Sequence, residues 1–440
     1  MFMVVIVPLA SVKLNPADLA FWLSALLLIA LSSPADFGVY NTIVRGLPIV
    51  KTGKAFPKYL SPADDPNFDG QNDINIDYRT RVLALVIFGL RQLIWSVSVV
   101  LIISVIIAYF IYKGRSDGTI DISFILTLFF YLLVVPLYTL ARFLESILIG
   151  WGLISIAKQN EAITVIFRVV ATSGLMFYAM PIYSFALVHL LTTWGQFALN
   201  FRNVKTKILY DFEFSSIINY LRFFSNEERS SFTKGQYRFG INIFSSYLIM
   251  NAGPLAVTNL KSDQSVSFYL IMVRMFQAIR QFAQVPVTVV VQKFVVLRTE
   301  GRISELLTLF TNRSLVAMIL YVLGFGLSFI YIGYVFKHNL AGYTYYLFMF
   351  GLVMFLELNH SNHAQLVLSK NVQPFLIPSF ASGIMSIVLM YPIFNKYGIV
   401  GAILVQGVVQ LVFSNWYSVY LNIKEFGDTK LALYRFKEKY

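Results

Sequence analysis

The chain has 440 residues, of which 57% are hydrophobic and 13% charged, with a mean hydropathy of +0.68 and a formal net charge of +13. So apolar a balance is far from that of a soluble domain and implies an all-α polytopic membrane protein, with room for about a dozen spans at roughly 20 residues each. The chain has no cysteine, which excludes disulfide frameworks, thiolate metal sites and cysteine nucleophiles; the excess of cations borders apolar runs, which marks cytoplasmic loops rather than nucleic-acid binding.

Met1 to Ala10 is apolar but too short to cross a bilayer, and it lacks the charged start and cleavage site of a signal peptide. A second span is expected from Ala17, with Asp18 favoured by the helix dipole, to about Pro48. A polar loop follows from Lys51 to Arg81. In it, Asp65, Asn67, Asp69, Gly70 and Asp73 mimic the opening of a calcium loop, but position twelve is Ile76 and apolar helices flank it, so it reads as an acidic cytoplasmic loop. Further spans are expected at about 81–112, 120–144, 162–180 and 181–201. The polar stretch 203–233 forms a cytoplasmic linker whose Ile217-Ile218 and Phe223-Phe224 suit the membrane surface. Spans resume at about 234–257, 265–291, 313–336, 341–368, 372–395 and 397–423, and a basic tail covers 425–440. The domain boundaries are thus 1–202, 203–233, 234–424 and 425–440.

One pattern occurs twice. Phe143-Leu144-Glu145 precedes Ala157-Lys158-Gln159, and Phe355-Leu356-Glu357 precedes Ser369-Lys370-Asn371; further on, Met180-Pro181-Ile182 is answered by Tyr391-Pro392-Ile393. Two copies in register imply duplicated six-helix halves, an architecture used by transporters. Pairing Phe21-Trp22-Leu23 with Phe268-Tyr269-Leu270 places the counterpart of Lys234 upstream of Met1, so the first helix is expected to lack its opening turns, and translation to begin upstream. Lysines and arginines concentrate in the loops containing Lys51, Arg202, Lys370 and the C-terminus, which places that face and the C-terminus in the cytoplasm.

Leu14-Asn15-Pro16-Ala17-Asp18-Leu19 with Asp36-Phe37-Gly38, then Leu356-Glu357-Leu358-Asn359-His360, Leu368-Ser369-Lys370-Asn371, Tyr397-Gly398-Ile399-Val400-Gly401-Ala402 and Asn415-Trp416-Tyr417 together resemble Wzx-type O-antigen flippases of the multidrug/oligosaccharidyl-lipid/polysaccharide (MOP) exporter superfamily. The resemblance runs along nearly the whole chain. It implies two helical bundles around a central cavity that opens alternately to each face of the bacterial inner membrane. The implied cargo is an undecaprenyl-diphosphate-linked oligosaccharide, moved amid membrane lipids for O-antigen or lipopolysaccharide assembly, with a polymerase and a chain-length regulator as candidate partners. No cofactor is implied.

Arg91, Arg274 and Arg280 fall inside spans and would cost roughly 8 to 10 kcal/mol together if they faced lipid; Arg168 and Arg45 lie nearer span ends. A wet cationic cavity suits a diphosphate, because the guanidinium fork matches phosphate oxygens and keeps its charge. Arg274 is the preferred contact, since the second and eighth spans correspond in the two halves; pairing or snorkelling is the alternative for each arginine. Asp36, Glu145 and Glu357 are candidates for ion coupling, with Arg142 as a structural partner for Glu145. His360 and His363 beside Glu357 suggest a proton relay, whereas a metal is disfavoured because the matching span has Leu148 in place of a histidine. The rival readings are a membrane enzyme of the same pathway, a polymerase or glycosyltransferase, disfavoured by external breaks of a few residues, and a multidrug exporter, disfavoured because drug cations want an acidic cavity.

Overall fold

The computed structural model describes residues 2–51, 56, 78–115, 121–208, 224–257, 264–335, 340–370 and 374–426, and the described residues contain helices and no strand. The calcium-like loop, the Ile217-Ile218 pair and most of the C-terminal tail lie outside them. The helices are α1 (Phe2–Lys13), α2 (Pro16–Ala30), α3 (Ser32–Ala35), α4 (Val39–Lys51), α5 (Tyr78–Arg115), α6 (Ile122–Gly150), α7 (Ile154–Phe177) and α8 (Ile182–Lys207), then α9 (Asn226–Ala256), α10 (Gln264–Thr288), α11 (Val291–Thr299), α12 (Ile303–Val335), α13 (Leu340–Leu368), α14 (Leu376–Gln410) and α15 (Trp416–Phe426), the last two joined by a π-helical turn. Seven stretches of the described residues are long and apolar enough to cross a membrane. Their exposed large side chains, such as Trp95, Ile102, Phe167, Trp194 and Ile330, are apolar, as a lipid-facing surface requires.

Local sequence explains the boundaries. Asn15 caps α2 by accepting the Asp18 N–H at 2.8 Å, with Pro16 in the first turn where its missing donor is not needed. Asp121 caps α6, and Ser225 with Glu228 forms a capping box that starts α9 eight residues before the expected Lys234. Spans α7 and α12 likewise begin eight and ten residues earlier than expected; in α7 the polar residues Asn160 and Thr164 are buried, whereas the early polar residues of α12, such as Ser304, Glu305 and Thr308, are exposed. Phe224, expected at the membrane surface, is instead buried among Phe56 and Phe88.

The expected continuous second span is broken. After α3, Asp36 Oδ1 accepts the Gly38 N–H at 2.7 Å, and Phe37 and Gly38 take left-handed φ values of 41° and 83°. The turn presses its backbone onto α9: a Cβ built at Gly240 would sit 2.6 Å from the Phe37 carbonyl oxygen. At the other end of the chain, Gly398 (φ 57°) splits α14 into two segments.

The first half packs α6 against α8, α2, α4 and α5, and α7 against α8. The second packs α9 against α14, and α10 and α13 against one another and against α12. The halves meet where α2 and α1 touch α10, and where α2, α3 and α4 touch α9.

Candidate functional site

The helices that meet between the halves are sealed over one part of their length and open over the other. Leu19 to Leu28 of α2 and Val266 to Arg274 of α10 are buried without interruption, over more than two turns each, so they are covered on every side where the two helices pack together. Towards the ends that carry Lys51, Lys207 and Lys424, here the basic ends, both helices open. Tyr40, Asn41, Val44, Arg45 and Pro48 of α4 share a partly exposed face, and α10 presents Gln277, Arg280, Gln281, Gln284 and Thr288 at half-buried or exposed positions. Polar side chains recurring at this spacing within an apolar span need water beside them.

Three guanidinium groups border this opening. Arg45 stacks over the Phe239 ring at 4.7 Å, reaching from one half to the other, and Arg142 of α6 stacks over Tyr40 at 4.5 Å. Arg280 Nη1 lies 3.4 Å from Glu357 Oε1 and donates to Ser361 Oγ at 3.2 Å. Arg274 is the last residue of the buried run. It donates to Gln277 Oε1 at 3.1 Å, and Gln277 donates to the Met250 carbonyl, while Nε and Nη2 of Arg274 have no protein acceptor. Arg274 therefore sits where the seal ends and the opening begins, with donors to spare.

The other expected residues lie elsewhere. Arg91 is exposed and shares a face of α5 with Ile94, Trp95 and Ile102, so it is not brought to the opening. Helix α5 has 38 residues, about 57 Å at 1.5 Å per residue, nearly twice a bilayer core; the apolar exposed face starts beyond Arg91, whose stem can snorkel at its edge. Arg168, fourteen residues into α7 rather than one or two turns, is buried inside the first half with the Thr192 and Thr193 hydroxyls.

Glu145 is fully buried, and its close partner is Lys158 Nζ at 2.8 Å; Arg142 stands off at 3.9 Å. Asp36 is occupied with the Gly38 turn. His360 and His363 face Ser418 Oγ and Asn422 Nδ2, each at 3.0 Å from Nδ1. Among the described residues no three histidines or carboxylates gather as a metal site. Sequence reasoning fixed on arginines missed Tyr40 and the glutamine row 277, 281 and 284, although polar residues at helical spacing in an apolar run were visible there.

The fold is similar to that of solved membrane transporters that match nearly the full chain. The MATE multidrug transporter DinF-BH superposes with a TM-score of 0.59 at 15% identity over 96% of this chain and 91% of its own. The lipid II flippase MurJ in an inward closed conformation gives 0.54 at 14% identity over 93% and 87%, and an inward-facing multidrug resistance MATE family transporter gives 0.52 at 14% identity over 96% and 99%. No protein-family model and no curated protein sequence matches the chain.

Proposed function

We propose that the chain is a non-enzymatic flippase that carries a lipid-linked oligosaccharide, joined through a diphosphate, from the cytoplasmic to the outer leaflet by alternating access, and that the basic ends face the cytoplasm. The observation that carries this reading is the polar opening between the halves, bordered by Arg45, Arg142 and Arg280 and ending at the unfilled donors of Arg274. Guanidinium forks suit diphosphate oxygens, amide side chains suit sugar hydroxyls, and the polyprenyl chain can remain in lipid beside the halves. A drug cation would meet like charge in the same place, which disfavours multidrug export. The fold-level likeness to a lipid II flippase agrees with the reading, as does the sequence resemblance to Wzx-type proteins.

The test is a deletion strain assayed for lipid-linked repeat units. Accumulation on the cytoplasmic leaflet is expected; exported but unpolymerised single units would instead indicate a polymerase. Arg274→Ala should remove surface polysaccharide while the protein stays in the membrane, and Arg274→Lys should restore it only in part, because an ammonium cannot make the bidentate contact. Normal polysaccharide in Arg274→Ala cells would take this residue out of the site.

A further inference from the structure

The seam between α7 and α8 holds a second positive charge, remote from the opening. Asn160, Thr164, Arg168, Thr172 and Met176 recur every four residues along the buried face of α7. Near the basic ends the seam is self-sufficient: Asn160 donates to Asn200, which donates to the Ala141 carbonyl, and Thr164 bonds to backbone carbonyls of its own helix. One to two turns further on it is not. Arg168 Nε and Nη2 donate to Thr192 and Thr193 at 2.8 and 3.3 Å, and those hydroxyls pass their own protons to the Val188 and His189 carbonyls. Arg168 itself is 6% exposed, and the Thr172 hydroxyl, one turn along the same face and 1% exposed, has no partner.

Among the described residues no carboxylate neutralises Arg168. Glu145 on the adjacent α6 is taken by Lys158, and the polar rings around the site, Tyr138, Tyr131 and His189, carry no negative charge. A guanidinium does not shed its proton, and an isolated buried charge is costly by many kcal/mol. Water could meet the open Thr172 hydroxyl but would leave the charge uncompensated. We propose that the first half binds a small monovalent inorganic anion of the halide class between α7 and α8, held by Arg168 and Thr172. The site is independent of the transport reading.

The experiment uses the full chain, purified in detergent, exchanged into sodium gluconate and titrated with sodium chloride or bromide at constant ionic strength. The unfolding temperature is expected to rise by about 2 to 4 °C and saturate. Thr172→Val should weaken the response and Arg168→Gln abolish it, while Arg91→Gln on the apolar surface should keep it. Crystals grown in bromide should show anomalous density beside Arg168. Equal unfolding temperatures in gluconate and chloride, or a response that survives Arg168→Gln, would overturn the proposal. Should Arg168→Gln fail to fold, Thr172→Val and the bromide density decide, and density only elsewhere, for instance at Arg274, refutes it.

Discussion

The two halves use the same Glu-to-Lys spacing and wire it differently. In the first, Glu145 and Lys158 close on each other across the α6–α7 hairpin, and Glu161 shares the lysine at 2.8 Å. In the second, Glu357 reaches sideways to Arg280 on α10, and Lys370 pairs at 2.8 Å with Glu425 on α15. Glu425 also takes Arg298 of α11, which in turn holds Ser369 and the Leu366 carbonyl. The difference follows from the second helix of each half. α2–α4 is interrupted at the Asp36 turn, which bends against α9, whereas α10 runs unbroken past Arg274 and delivers Arg280 to Glu357. The halves share the pattern of residues, but different neighbours meet the charges in each.

Breaking the turn should have the largest effect. Gly240→Val would force its side chain into the Phe37 backbone and ring, and overpacking at a backbone contact costs about 3 kcal/mol; a large drop in unfolding temperature in detergent is expected, and a wild-type value would show that the halves can part there freely. Next comes Lys158→Ala, which leaves a fully buried Glu145 with Arg142 alone at 3.9 Å. Because Lys158 is half exposed, the expected loss is about 1 to 3 kcal/mol rather than the full cost of stranding a buried charge. The matching Lys370→Ala should cost less than about 1 kcal/mol, since Glu425 keeps Arg298. Equal losses in the two variants would erase the distinction between the halves. A double-mutant cycle on Arg280 and Glu357 sharpens it further, with a coupling of about 1 kcal/mol expected across the 3.4 Å pair.

Much of this was legible in the sequence. Hydropathy and the repeated stretch pointed to two helical halves, and Asn15-Pro16 marked the start of α2. The wiring was not legible, because Lys370 and Glu425 are 55 positions apart and no local spacing announces their contact. Helix depth was misread for the same physical reason in two places: Arg168 and Arg91 were placed from hydropathy edges, yet α7 begins with a polar face turned inward and α5 continues well past the bilayer thickness. The break at Asp36 was hidden inside an apolar run, since one aspartate with one glycine can fold a span without lowering its hydropathy. The unpaired donors of Arg274 and the unpaired hydroxyl of Thr172 follow only from knowing every neighbour.

Glu228 bears on how the molecule is put together. One of its oxygens accepts the Ser225 N–H within the capping box and the other accepts the Phe56 N–H, both at 2.9 Å. Residue 56 belongs to the stretch after α4, and residue 228 opens the second half, so a single carboxylate fastens segments that leave the ribosome 172 positions apart. The early strap therefore stays undone until the second half has begun to emerge, and the fastening of one half to the other waits on residues at the very start of α9.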